Sequence, residues 1–148
     1  MHLHRFTLLI IVSFFSYVAP AQVTKIPPMA KENFTQQYPE ASNAEWQNEI
    51  VGVNVRFESG GKSMNAFYNN KGIWKYTLQD AEYDQLPAAV IDGFNKSKYV
   101  ERGVTETKII FYPGAVTQYR IKAEKNDVER KYLYFNDKGR LLRDALTL

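Results

Sequence analysis

FYNNKGIW, residues 67–74, and YFNDKGRL, residues 134–141, write one pattern twice in a chain of 148 residues. Each has a leading pair of aromatics, an Asn or Asp pair, then Lys-Gly and a closing apolar residue. Asn and Asp side chains accept hydrogen bonds from nearby backbone amides, and glycine takes positive φ without a Cβ clash. Each copy therefore predicts two strands around a tight turn. The acidic turn lacks the spaced carboxylates and closing Glu of a calcium loop.

The likeness extends upstream. Ile26-Pro27 matches Leu86-Pro87, Phe34 matches Phe94, and Tyr38 matches Tyr99. A proline suits the first turn of a helix. Ala30, Phe34 and Tyr38, like Leu86, Val90 and Phe94, recur at the spacing of one helical face. Helices are expected at about 28–38 and 87–98. After each helix the period drops to two. Val51, Val53, Val55 and Phe57 alternate with Gly52, Asn54 and Arg56, and Thr117, Tyr119, Ile121 and Ala123 alternate with Gln118, Arg120 and Lys122. These read as half-buried antiparallel strands. The expected fold is α+β: tandem helix-plus-four-strand repeats, about 26–85 and 86–148, forming an eight-stranded antiparallel sheet with two helices packed on one face. One such unit would be marginal alone, so the two are expected to share one continuous core within a single domain, 22–148.

The amino terminus predicts the compartment. Arg5 precedes an apolar run from Phe6 to Phe15, and Ala19-Pro20-Ala21 supplies a small-x-small exit. These are the parts of a secretory signal peptide, 1–21, and the run is short for a membrane-spanning helix. The mature chain is expected to be periplasmic or secreted, without membrane insertion. It has no cysteine, hence neither disulfide nor lipid-carrying thiol. Removing the leader takes away only Arg5 among charged residues, leaving 18 basic against 16 acidic side chains. So slight an excess does not suit a nucleic-acid binder.

Both histidines, His2 and His4, fall in the leader. The mature chain thus has no His or Cys for a nucleophile–base pair or for the usual zinc and copper sites. No phosphate-binding glycine loop appears, and no catalytic residue, cofactor or metal is assigned. Asp80, Glu82 and Asp84 would share one side of an extended chain and could hold a hard cation; the plainer reading is a solvated linker between the repeats. The glycosylation-type patterns at Asn33 and Asn95 fall on expected helices and are read as coincidental.

The stretches IPPMAKENFTQQYPEASNAEW (26–46), FYNNKGIW, LPAAVIDGF (86–94) and YFNDKGRL together resemble the PepSY-like family of exported bacterial proteins, similar in fold to β-lactamase-inhibitor proteins. The resemblance covers roughly Ile26 to Leu146. It implies a helix-plus-sheet repeat and protein binding, with inhibition as one form, and no catalytic residues. The chain departs from the pattern at Thr107, where Trp46 has its counterpart, and at Leu141, where the first copy has Trp74. The second copy is also longer, with a projecting hairpin expected at Tyr112-Pro113-Gly114.

Strand alternation then selects a surface. If Ala66, Tyr68, Leu133 and Phe135 face the helices, Phe67, Tyr132 and Tyr134 face the other way, joined by Arg56 and Arg120. Tyr, Phe and Arg are enriched at interaction hot spots, although aromatics also stiffen a sheet through cross-strand pairs. Phe67, Tyr132, Tyr134, Arg56, Arg120 and Tyr112 are the candidate partner-binding residues; Trp46 and Trp74 are read as core or sheet-edge anchors. The expected function is a non-enzymatic module binding an unidentified protein partner in the cell envelope, including as an inhibitor of a periplasmic or secreted enzyme. The alternatives are a peptide or lipid carrier, which needs a deep apolar pocket, and a carboxylate-only hydrolase, which needs two acids converging in a cleft.

Overall fold

In the computed structural model, residues 25–146 are described, and the expected leader lies outside them. Helix α1 (Pro28–Gln37) leads into strands β1 (Ser42–Glu49), β2 (Gly52–Ser59), β3 (Lys62–Asn69) and β4 (Trp74–Asp80). A 3-10 turn at Tyr83–Gln85 connects to α2 (Ala88–Asn95), followed by β5 (Gly103–Tyr112), β6 (Val116–Glu124), β7 (Arg130–Asn136) and β8 (Leu141–Leu146). All eight strands form one antiparallel sheet in sequence order, with β1 and β8 at its open edges. Each helix opens on a proline, as expected. The second stops at Asn95, short of the expected 98, and Ser97–Arg102 continues as turns.

The repeated octapeptides fold alike, bond for bond. Asn69 Oδ1 accepts from the amides of Lys71 and Ile73, both at 3.0 Å. Asn136 Oδ1 accepts from Lys138 and Arg140 at 3.1 and 2.9 Å. Gly72 (φ +77) and Gly139 (φ +74) complete the turns. Each glycine also touches a helix start. A Cβ on Gly72 would strike Met29 and Ala30, and one on Gly139 would strike the Ala89 carbonyl. Each hairpin turn is thus the seat on which the first turn of a helix rests. Asn33, within one of the glycosylation-type patterns, reinforces the first seat by donating to the Gly72 carbonyl at 2.8 Å.

Both helices lie on the same side. Across the ladders Val55, Ala66, Thr77 and Phe111 are successive partners, as are Thr107, Ile121 and Leu133. Directly opposed residues point to one face, and Thr107 and Phe111 lie an even number of residues apart on β5. Under α1, Ala30 and Phe34 pack on Val53, Val55, Phe57, Ala66 and Tyr68. Under α2, Leu86, Val90, Phe94 and Tyr99 pack on Ile121, Ala123, Leu133 and Phe135. Fully burying such a side chain is worth about 1.5–3 kcal/mol. In place of one continuous core, the buried apolar residues form two clusters. Thr77 and Thr107, both buried, occupy the strip between the helices and break the apolar run.

The departures from the repeat have local explanations. Trp46 meets Phe34 edge-on, with ring centroids 5.4 Å apart. In the second half Thr107 occupies the corresponding position and donates to the Ala81 carbonyl, and Tyr83 of the connecting turn meets Phe94 edge-on at 5.8 Å. An aromatic from the linker fills the place a strand tryptophan fills elsewhere. The extra length of the second half is divided between the β6–β7 connection, residues 125–129 against 60–61, and the strands β5 and β6, which are longer than β1 and β2. Their connection, Pro113–Ala115, is a tight turn with Gly114 at φ +77. Val51, expected in a strand, lies in the β1–β2 turn and is exposed.

Candidate functional site

The face opposite the helices carries the aromatic set. Phe67 is paired across strands with Tyr76, and their rings stack at 5.4 Å with planes 22° apart. Tyr76 lies 6.3 Å from Tyr112, which extends the row over β3, β4 and β5. Beyond it, the Arg120 guanidinium carbon sits 4.4 Å over the Tyr132 ring, and that of Arg143 sits 3.4 Å over the Tyr134 ring. Both lie within cation–π distance, where the ring quadrupole attracts the guanidinium.

Five of the six residues singled out from the sequence thus fall into one band: Phe67, Tyr112, Arg120, Tyr132 and Tyr134. Arg56 shares the face but stands on β2, four strands from Arg120, opposite Glu45 and Asn65. It does not join the band. Tyr76, Leu78, Ile110 and Arg143 belong to the band and escaped the sequence reading. Tyr76 could have been found from the register that the Asn69–Gly72 turn imposes. Ile110 lies in an unbroken apolar run, IIFY (109–112), and Arg143 in LLRDAL, where alternation gives no face.

The band is concave at its centre. Leu78 and Ile110 form the floor of a depression of about 210 Å³ walled by Tyr76, Tyr112, Tyr134 and the two arginines. Ile110 is only 2% exposed although no helix covers this side. Burial pushes the Tyr76 and Tyr112 phenols above their ordinary pKa, so both stay protonated and can donate hydrogen bonds at neutral pH. Beside Tyr112, the Arg143 charge acts in the opposite direction.

The acids near the band are engaged. Glu106 accepts from Arg120 at 2.7 Å, and Asp80 pairs with Lys108. Asp80, Glu82 and Asp84 do not line one side of an extended chain, because the 3-10 turn begins at Tyr83. Among the described residues no cluster of three or more His, Cys, Asp or Glu is placed to hold a metal ion. Trp46 and Trp74 are half-buried on the helix side against the α1 cluster, where Trp74 Nε1 donates to Thr77 Oγ1 at 2.9 Å. Both are anchors, as read from the sequence.

A family described as "Putative beta-lactamase-inhibitor-like, PepSY-like" matches residues 51–143, from the β1–β2 turn into β8. No curated protein matches the chain in sequence. Crystal structures that share the fold include three from Bacteroides species. A BLIP-like protein from Bacteroides fragilis NCTC 9343 is 22% identical, with a TM-score of 0.75 over 82% of this chain and 86% of that one. A DUF2874 family protein from Bacteroides ovatus ATCC 8483 is 24% identical, with a TM-score of 0.75 over 82% and 87%. A protein from Bacteroides eggerthii DSM 20697, described among "putative periplasmic proteins", is 21% identical, with a TM-score of 0.73 over 82% and 88%. At these identities the likeness is one of fold. Among the described residues no helix is long and apolar enough to cross a membrane.

Proposed function

The chain belongs to the PepSY-like, beta-lactamase-inhibitor-like family, and from that premise we propose that it is an exported, non-enzymatic module that binds a protein partner of the cell envelope through the helix-free face of its sheet. Inhibition of a periplasmic or secreted enzyme is the form of binding that the family description favours. The matched family is inhibitor-like rather than an enzyme family. On this reading the chain is two helix-plus-four-strand units, 26–85 and 86–148, merged into one sheet. The matching turn bonds at Asn69 and Asn136 and the matching helix seats at Gly72 and Gly139 support it. Export rests on the leader pattern in 1–21 and on the periplasmic description of one structural neighbour.

The observation that carries the proposal is the band itself. A stacked Phe67–Tyr76 pair, further tyrosines and two ring-bound arginines lie together on one open face. Tyr and Arg at low conformational cost are the composition of interaction hot spots. The depression, about 210 Å³, is smaller than the roughly 300 Å³ at which ligand pockets begin. Two larger hollows, about 400 Å³ beside residues 80–83 and about 330 Å³ beside Arg56 and Lys108, are lined largely by polar and charged side chains rather than apolar ones, which favours a protein partner over a carried peptide or lipid. The acids nearest the depression, Asp80 and Glu106, are paired with Lys108 and Arg120 rather than facing each other across a cleft, which weighs against a carboxylate hydrolase.

Capture tests the proposal. Immobilised residues 22–148 should retain a stoichiometric partner from the exported proteins of the source organism. The Phe67→Ala, Tyr132→Ala, Tyr134→Ala triple variant, verified as folded by circular dichroism, should lose it. Retention of the same protein by the folded triple variant would refute the open-face assignment.

A further inference from the structure

The two arginines of the band are not equivalent. Arg120 spends its Nη2 on Glu106 at 2.7 Å, and its Nε is buried without a partner. Arg143, on the edge strand β8, makes no ion pair among the described residues. Its guanidinium is nevertheless held in place, 3.4 Å from the Tyr134 centroid. A guanidinium stacked by its π face keeps its N–H edge free, and that edge is the part that forks onto a carboxylate. The stack therefore orients the donors; one engages the Tyr112 hydroxyl, and the rest have no ion-pair partner among the described residues.

The surroundings strengthen an anion at this place. The floor of Leu78 and Ile110 is apolar, and Ile110 is 2% exposed. Arg143 is itself exposed, so a charge pair there is partly screened by solvent, while the apolar floor keeps water from one side of it. The Tyr112 hydroxyl lies beside Arg143 as a second donor. With Glu106 matching Arg120, the depression carries one unmatched positive charge and no acid in its lining.

We infer that the depression between β4 and β8 receives one acidic side chain of the protein partner, Asp or Glu, its carboxylate on the N–H edge of Arg143 and its stem on Leu78 and Ile110. This rests on the open-face reading and adds to it the chemistry of the occupant. The depression has the volume for one side chain rather than for a free ligand, and its charge selects an acid. Apolar residues beside that acid would lie on Phe67, Tyr76 and Tyr132.

Selection from a displayed library of random linear peptides on folded residues 22–148 tests the inference. Enriched peptides should carry Asp or Glu next to an aromatic or aliphatic residue. Arg143→Ala should weaken the best synthetic peptide by roughly tenfold or more, as expected for loss of a charge-assisted contact. Arg143→Lys, which keeps the charge but not the fork, should weaken it less. Changing the peptide's acid to its amide should cost wild type the same factor and cost Arg143→Ala nothing further. Thermal unfolding of both variants controls for folding. Peptides without an acid, additive losses in that cycle, or no enriched peptide would overturn the inference. If peptides respond to Phe67→Ala but not to Arg143→Ala, the acid-receiving site falls and open-face binding stands. If they respond to neither, both fall.

Discussion

Gly139 sits at φ +74, where a Cβ would overlap the Ala89 carbonyl at the start of α2. Gly60 also has positive φ, at +57, but with open space around it. The pair separates backbone strain from packing. Gly60→Ala should cost only the left-handed penalty, about 1–2 kcal/mol. Gly139→Ala should cost more, about 3–4 kcal/mol, because α2 must also lift from its seat. Urea denaturation of the two variants measures the difference. A second residue-scale outcome concerns acid. Asp144 accepts from Lys131 and from the Tyr99 hydroxyl, each at 2.6 Å, and the Lys131 bond, then the Tyr99 bond, hold its carboxyl below the usual range. A depressed folded-state pKa stabilises above the unfolded value, near 4, and the gain disappears as pH falls through the folded value. Between neutral pH and pH ~4 the Asp144→Asn variant should show a lower melting temperature than wild type. The gap should narrow as pH falls further.

At the scale of elements, the two halves solve the same packing problem with different residues. Tyr38 bonds Thr77 at 2.6 Å and Tyr99 bonds Asp144 at 2.6 Å, so in each half the tyrosine after the helix reaches the half's last strand. The partner is a neutral threonine on interior β4 and a carboxylate on β8, where the sheet edge admits water. Likewise Tyr83 stands against Phe94 where Trp46 stands against Phe34. Tyr83→Ala should destabilise by about 1–3 kcal/mol, whereas Tyr83→Phe should be nearly neutral, since the ring supplies the contact. Thermal or urea unfolding distinguishes them. The helices and most strands were legible because proline starts, periodicity and the Asn-x-x-Gly turns all agree. The substitution of Tyr83 for a tryptophan was not, because it comes from outside the repeated pattern. The candidate band was readable where a turn pins the register, as at Phe67 and Tyr134. It was unreadable at Ile110 and Arg143, whose strands do not alternate.

Across the whole molecule, two apolar clusters hang from one sheet and meet at a narrow seam. The β4–β5 ladder runs only from Thr77–Phe111 to Asp80–Lys108, the shortest of the seven. Phe57, 1% exposed in the α1 cluster, gives a handle on how far the halves stabilise each other. Phe57→Ala should speed amide exchange in β1–β3 well before β6 and β7, which lean on the other cluster. Uniform loss of protection would mean that the seam transmits the damage whole.

The strand order, identical to chain order, also governs how the molecule comes into being. Every ladder joins neighbours along the chain, and only the β4–β5 ladder must close across an intervening helix. Sheets usually assemble slowly because distant segments must find one another. Here a hairpin can close as soon as its second strand is available, with no later segment needed as a template. A chain arriving from one end, off a ribosome or out of a pore, can therefore acquire structure in the order it arrives. Refolding of residues 22–148 followed by stopped-flow fluorescence of Trp46 and Trp74 should be faster than that of sandwich proteins of similar strand number.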